Sequence, residues 1–176
     1  VSIDGDNYSF TNEAGQKFGY KNGSNLGADV NPYWTVTRNT AGEGMLVPNY
    51  EGFNIINTST GNRAISLSGW TFAFGAYFTN YMSGGNYNFS VDIFVMKEKE
   101  ADAAPAANYV RVTDLSEITA GSKIVIAARY NENANEYYAL PTTIQNNIPG
   151  VAFTSTTVSE GETLPSAITD SISKYV

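Results

Sequence analysis

The chain is predicted to be all-β, and three observations carry that prediction. Three stretches read strand, turn, strand: Phe53 to Leu67, Tyr8 to Tyr20, and Ile124 to Leu140. Hydrophobic residues make up 42% of the chain and charged residues only 15%, with Tyr, Thr, Ser, Asn and Gly supplying much of the rest, the profile of an extracellular β module. Strongly apolar runs such as Phe89 to Met96 are short and bounded by turn or charged residues, as strands are.

The central unit, FNIINTSTGNRAISL, places a polar turn between two β-forming runs, and Gly61 supplies the positive φ of a tight turn. In YSFTNEAGQKFGY, Asn12 and Gly15 stand roughly where Asn57 and Gly61 stand. The third unit has a longer turn. Recurring hairpins of this kind predict a β-trefoil-like closed barrel, with an antiparallel β-sandwich as the alternative.

Taken in order, Val1 to Phe10 forms two short β runs around the turn Asp4-Gly5-Asp6-Asn7, which lacks the spacing of a calcium loop. A Gly- and Asn-rich segment leads to a strand at Tyr33 to Thr37, where alternation puts Trp34 and Val36 on the core face. Met45 to Val47 is a further short buried strand. In GWTFAFGAYFTNYMSGGNYN, Trp70, Phe72 and Phe74 alternate with smaller residues and share one face, as core rings would. Tyr77, Tyr81 and Tyr87 follow among Asn and Gly residues, a loop-like setting. Phe89 to Met96 is a strong strand closed by the charge run 97–100. The stretch 101–108, ADAAPAAN, reads as a linker. Tyr109 to Val112 opens a new strand, and Thr113 to Ile118 forms a helical turn capped by Asp114 or Thr113. The domain organisation is then 1–100, linker 101–108, and 109–176.

Composition excludes several chemistries. Seventeen acidic against ten basic residues give a net charge of −7, which repels phosphate backbones and argues against nucleic acid. Cysteine and histidine are both absent. That removes thiolate and imidazole metal sites and every Ser-His-Asp arrangement. No apolar run is long enough to span a membrane. The chain opens in strand-like sequence, so a secretion signal would lie upstream of it.

The run YVRVTDLSEITAGSKIVIAA at Tyr109 to Ala128 resembles the opening of an all-β module repeated in tandem in large secreted and surface proteins of Bacteroidetes. FSVDIFVMKEK at Phe89 to Lys99 resembles the strand and lysine that close such a unit, and Asn-to-Gly hairpins like those at Asn12 and Asn57 occur between. The resemblance implies a secreted, non-catalytic appendage and brings no catalytic residues. It also makes Asp170-Ser171-Ile172 relevant as a periplasmic O-glycosylation tripeptide. Here the opening motif follows the closing motif. Three arrangements remain open: ends of two adjacent modules, a permuted single module, or halves completed by β pairing between chains.

The expected function is a non-catalytic binding or adhesion module of a secreted or cell-surface bacterial protein, with glycan as ligand. Rings stack on the apolar face of a sugar while amides bond its hydroxyls, so Trp70, Tyr77, Tyr81, Asn86 and Tyr87 are the candidate ligand-binding residues. No cofactor, metal or catalytic residue is expected. A structural spacer or self-assembling surface subunit is the alternative. A two-carboxylate glycosidase would draw on Asp4, Asp6, Glu13, Asp29, Glu43, Glu51 and Asp92. Of these Asp92 alone interrupts an apolar strand, where it is expected to face solvent.

Overall fold

A computed structural model describes residues 1–39, 52–80, 86–97, 108–129 and 136–154. The expected strand at Met45 to Val47, Tyr81, and the tripeptide at Asp170 fall outside them. Within the described residues every sheet is antiparallel. Helical geometry among them is limited to 3-10 turns, at Leu115–Glu117 and at Thr79 and Asn80. No helix among them is long and apolar enough to cross a membrane.

In chain order the strands are β1 (Ser2–Asp4), β2 (Asn7–Ser9), β3 (Phe18–Asn22), β4 (Asn25–Ala28), β5 (Trp34–Asn39), β6 (Gly52–Asn57), β7 (Arg63–Ser68) and β8 (Ala73–Phe78). They continue as β9 (Tyr87–Asn88), β10 (Asp92–Lys97), β11 (Asn108–Arg111), β12 (Ile124–Arg129), β13 (Glu136–Ala139), β14 (Ile148–Pro149) and β15 (Val151–Thr154). The larger sheet runs β1-β2-β5-β6-β7-β8-β14, with β9 also paired to β7. The smaller runs β11-β10-β12-β13-β15, and β3-β4 forms a separate ribbon.

The all-β class stands, and β6-β7 and β12-β13 pair as expected, whereas the stretch from Tyr8 to Tyr20 closes only through a bridge between Thr11 and Lys17 and the closed trefoil barrel is not formed. Among the described residues each sheet has two ends in its strand order and none closes on itself. The architecture is sandwich-like: Trp34, Ile55, Leu67 and Phe74 of the larger sheet share one continuous core with Ile93, Phe94, Ile126 and Tyr137 of the smaller. The local similarity of the hairpins reflects turn chemistry rather than threefold symmetry. Gly15 and Gly61 both have positive φ and both donate to the carbonyl of the preceding Asn, Asn12 or Asn57, at 2.9 Å. Both asparagines are buried, and their side-chain oxygens accept from the backbone of Gln16 and of Ser59, which is how Asn specifies a turn. Beyond the turns the hairpins diverge. The first passes from the larger sheet into the ribbon, the second stays in the larger sheet, and the third lies in the smaller.

One segment joins the sheets. β6 and β7 pair at Ile56 and Ala64 and then part. Residues 87–91 enter the gap: Tyr87 and Asn88 pair with Ser68 and Leu67, while Val91 exchanges backbone bonds of 2.7 and 2.9 Å with Phe53. The chain then continues into β10 of the other sheet, as strands do at the corners of sandwiches. Buried polar groups fix this passage. The Asn88 side chain donates to the Arg129 carbonyl at 2.9 Å and accepts from Ser90 N–H at 3.0 Å, and the Asn39 amide reaches the Ser90 hydroxyl.

The sequence segments 1–100 and 109–176 are interleaved by these pairings. β10 pairs with β11 and β12, and β14 pairs with β8 through Ile148 and Phe74. Gly121 N–H donates to the Val1 carbonyl at 2.8 Å. Strands β10 and β11 on either side of 98–107 are direct neighbours, with Lys97 opposite Asn108.

Two side chains illustrate the energetics. Trp34 is fully buried and its indole N–H donates to the Phe18 carbonyl at 2.9 Å. That bond ties the ribbon to the larger sheet. Asp92 corrects the sequence expectation: it is 1% exposed and forms a 2.7 Å ion pair with the Arg111 Nε. β10 is buried on both faces from Asp92 to Val95, so no solvent-facing position exists there for alternation to reveal. Four other carboxylates considered for a glycosidase, Asp4, Asp6, Glu13 and Asp29, are exposed, and Glu43 and Glu51 lie outside the described residues.

The helical turn at Leu115–Glu117 is built as its sequence specifies. Asp114 caps it, accepting from Ser116 N–H at 2.8 Å and from the Ser116 hydroxyl at 2.6 Å, while Glu117 reaches back to Asp114 N–H at 3.0 Å. These reciprocal bonds are a capping box. The bonds to Ser116, aided by Arg38, hold the Asp114 carboxyl below its ordinary range. Because the folded pKa is lowered, its stabilisation is present above the unfolded value of about 3.9 and is lost as pH falls through the folded pKa. We expect Asp114→Ala to lower stability at neutral pH. The gap from wild type should close as the pH is taken below the carboxylate range, as followed by chemical denaturation at a series of pH values.

Candidate functional site

The candidate residues gather where the larger sheet turns from β7 into β8. Ser68, buried at the end of β7, organises this turn. Its hydroxyl accepts from the backbone N–H groups of Trp70 at 3.3 Å and Thr71 at 3.4 Å, and its carbonyl accepts from Phe72 N–H at 2.9 Å. The turn breaks the alternation before β8 begins at Ala73. Trp70 is therefore not the core ring that alternation predicted: it is 68% exposed, whereas Phe74 is fully buried. Phe72 is intermediate and sits at φ 51°, a left-handed conformation unusual for a bulky residue.

Further ties hold the turn. Gly69 N–H donates to the Asn86 carbonyl at 2.8 Å, and Gly150 N–H donates to the Phe72 carbonyl at 2.8 Å. The Phe72 ring stacks on Tyr138 of β13, with centroids 5.2 Å apart and planes 13° apart. The space around Gly150 is closed by Tyr138 and the Phe72 carbonyl, which a Cβ there would meet at 2.9 and 3.1 Å. Both sheets thus contribute to fixing one exposed tryptophan. Strain at a bulky residue persists only where its surroundings over-determine it.

Behind Trp70 lies a small aromatic cluster. Trp70 meets Tyr87 edge to face, at 5.8 Å and 65°; Tyr87 packs on Tyr77 at 4.4 Å and on Phe89 at 6.1 Å. Tyr77, Tyr87 and Phe89 form with Ala64 and Ile56 a second apolar cluster, separate from the main core. Strand alternation accounts for the separation: Ala64 and Tyr77 point to the face opposite Ile65 and Ala76. Tyr77 differs from its expected loop setting, since it stands within β8 and is only 8% exposed. Its burial, the neighbouring Tyr87 phenol and, acting oppositely, a hydrogen bond with Ser68 leave the hydroxyl with a raised pKa. It stays protonated throughout the physiological range.

Trp70, Tyr77 and Tyr87 are thus brought together, with Trp70 outermost and Tyr77 as their support. Asn86 adjoins them through its backbone bond to Gly69. Sequence reasoning missed Ser68 as the organiser of the turn and Phe72 and Tyr138 as its second anchor. The Ser-Gly pair preceding Trp70 is turn chemistry and was the available signal. Among the described residues no group of three or more acidic side chains is placed to hold a metal ion. No family model, no curated protein and no solved structure matches this chain.

Proposed function

We propose that this protein is a non-catalytic glycan-binding module of a secreted or cell-surface bacterial protein, and that Trp70 is its principal contact. The observation that carries the reading is the presentation of Trp70. An indole with 68% of its surface exposed costs apolar hydration, and this one is held by an ordered turn rather than buried. A rigid, preformed aromatic surface binds a sugar ring with little further loss of conformational freedom. Tyr87, inclined to the indole at 65°, and Asn86 beside the turn supply adjoining polar and apolar contacts.

A net charge of −7 favours neutral saccharides over acidic ones. The motif resemblance of 89–99 and 109–128 supports the secreted setting and the absence of catalysis. Screening on a panel of neutral bacterial, plant and animal glycans tests the proposal. Wild type is expected to bind a subset, and Trp70→Ala to weaken that binding at least about tenfold with unchanged thermal stability. Binding that survives Trp70→Ala would overturn the role given to this residue, and a panel without any ligand would overturn the glycan reading.

A further inference from the structure

The turn that carries Trp70 has a second aromatic residue, and it leans on the other sheet. Trp70 contacts Tyr87 of β9 in the larger sheet, while Phe72 stacks on Tyr138 of β13 in the smaller. Phe72 and Tyr138 are both partly exposed. One residue, Thr71, separates Trp70 from Phe72, a span of at most roughly 7 Å between Cα atoms.

We infer that the binding site extends from Trp70 across the seam between the sheets to the Phe72–Tyr138 pair, and that it takes a single soluble chain of neutral sugars longer than one residue. This rests on the glycan reading above and adds ligand length and form to it. The form follows from the Trp70 end of the site, where Tyr87 adjoins the indole. Trp70 and Tyr87 are inclined at 65°, so a flat face, such as the surface of an insoluble polysaccharide, cannot lie on both. A free chain stacks one ring on the indole and places the next over the neighbouring pair. Phe72 and Tyr138, being within 13° of parallel, present one common orientation to it.

The test is a titration of neutral oligosaccharide series, glucose-, mannose- and N-acetylglucosamine-based, from monosaccharide to hexasaccharide, against wild type, Trp70→Ala, Tyr138→Ala and Tyr138→Leu. The leucine variant retains apolar bulk under Phe72 and guards against a loss that reflects folding alone, which denaturation of each variant checks independently. Wild-type affinity is expected to rise from monosaccharide to trisaccharide by roughly three- to tenfold. Both Tyr138 variants should flatten that rise, the ratio of trisaccharide to monosaccharide affinity falling toward one, whereas loss of the turn's anchor alone would weaken every length by the same factor and leave the ratio as in wild type. If a saccharide binds through Trp70 but both Tyr138 variants keep the wild-type dependence on length, the extended site is wrong and the glycan reading survives. Preferential binding to insoluble polysaccharide would also overturn the extended site. If no saccharide in any series binds wild type, both fall together.

Discussion

Trp34→Ala is expected to unfold this protein or leave it barely stable. Trp34 is fully buried in the core shared by the two sheets, and truncating such a ring costs about 3–5 kcal/mol. Loss of the indole N–H removes the donor to the Phe18 carbonyl, which bonds it at 2.9 Å; a buried acceptor deprived of its partner adds about 1–3 kcal/mol. Domains of this kind have only about 5–15 kcal/mol in total. Trp34→Phe keeps a six-membered ring in the core while removing the donor and the rest of the indole, so it retains part of the first contribution and loses the second. Urea denaturation followed by circular dichroism should rank wild type above Trp34→Phe and Trp34→Phe above Trp34→Ala. Equal stability of the phenylalanine variant and wild type would show that the bond to Phe18 contributes nothing.

The second large effect is expected at the ion pair between β10 and β11. Asp92 is 1% exposed, whereas the Arg111 side chain keeps 22% of its surface. The two truncations are therefore unequal. Arg111→Ala takes the guanidinium from a carboxylate that cannot reach water, and breaking a buried pair in this way costs about 3–5 kcal/mol. Asp92→Ala leaves a cation whose long side chain can move its charge toward solvent, so its cost should be smaller. A double-mutant cycle by chemical denaturation measures the coupling. Equal losses for the two single variants, with no coupling between them, would contradict this account of the pair.

The hairpins were legible in the sequence because their determinants are local. Asn57 and Gly61, or Asn12 and Gly15, specify their turns within a few residues. The cap at Asp114 was legible for the same reason. What the sequence concealed is non-local. That β14 joins β8, and that 87–91 enters between β6 and β7, depends on packing between segments far apart in the chain. No local pattern reports such pairings, and repeated turns suggested a symmetry that the sheets lack. Asp92 was misplaced because its partner stands on another strand, and alternation says nothing of a strand covered on both faces.

The candidate site was half legible. Aromatic and amide residues between Gly69 and Asn88 marked the region, and three of the rings chosen there do touch. Extending the strand pattern back through the Ser68–Phe72 turn placed Trp70 inside, and overlooking that turn hid the contribution of Tyr138.

Indole resonances test the central claim most directly. The chain has two tryptophans, one fully buried with its indole N–H bonded to a carbonyl and one 68% exposed. An ¹H–¹⁵N correlation spectrum should show two indole cross-peaks, of which only Trp70's disappears in Trp70→Ala. Titrated with a neutral glycan from the panel, the Trp70 peak should move saturably while the Trp34 peak stays in place. A saccharide that binds without moving the Trp70 peak, or a panel that moves neither, would contradict the assignment of this surface to glycan binding.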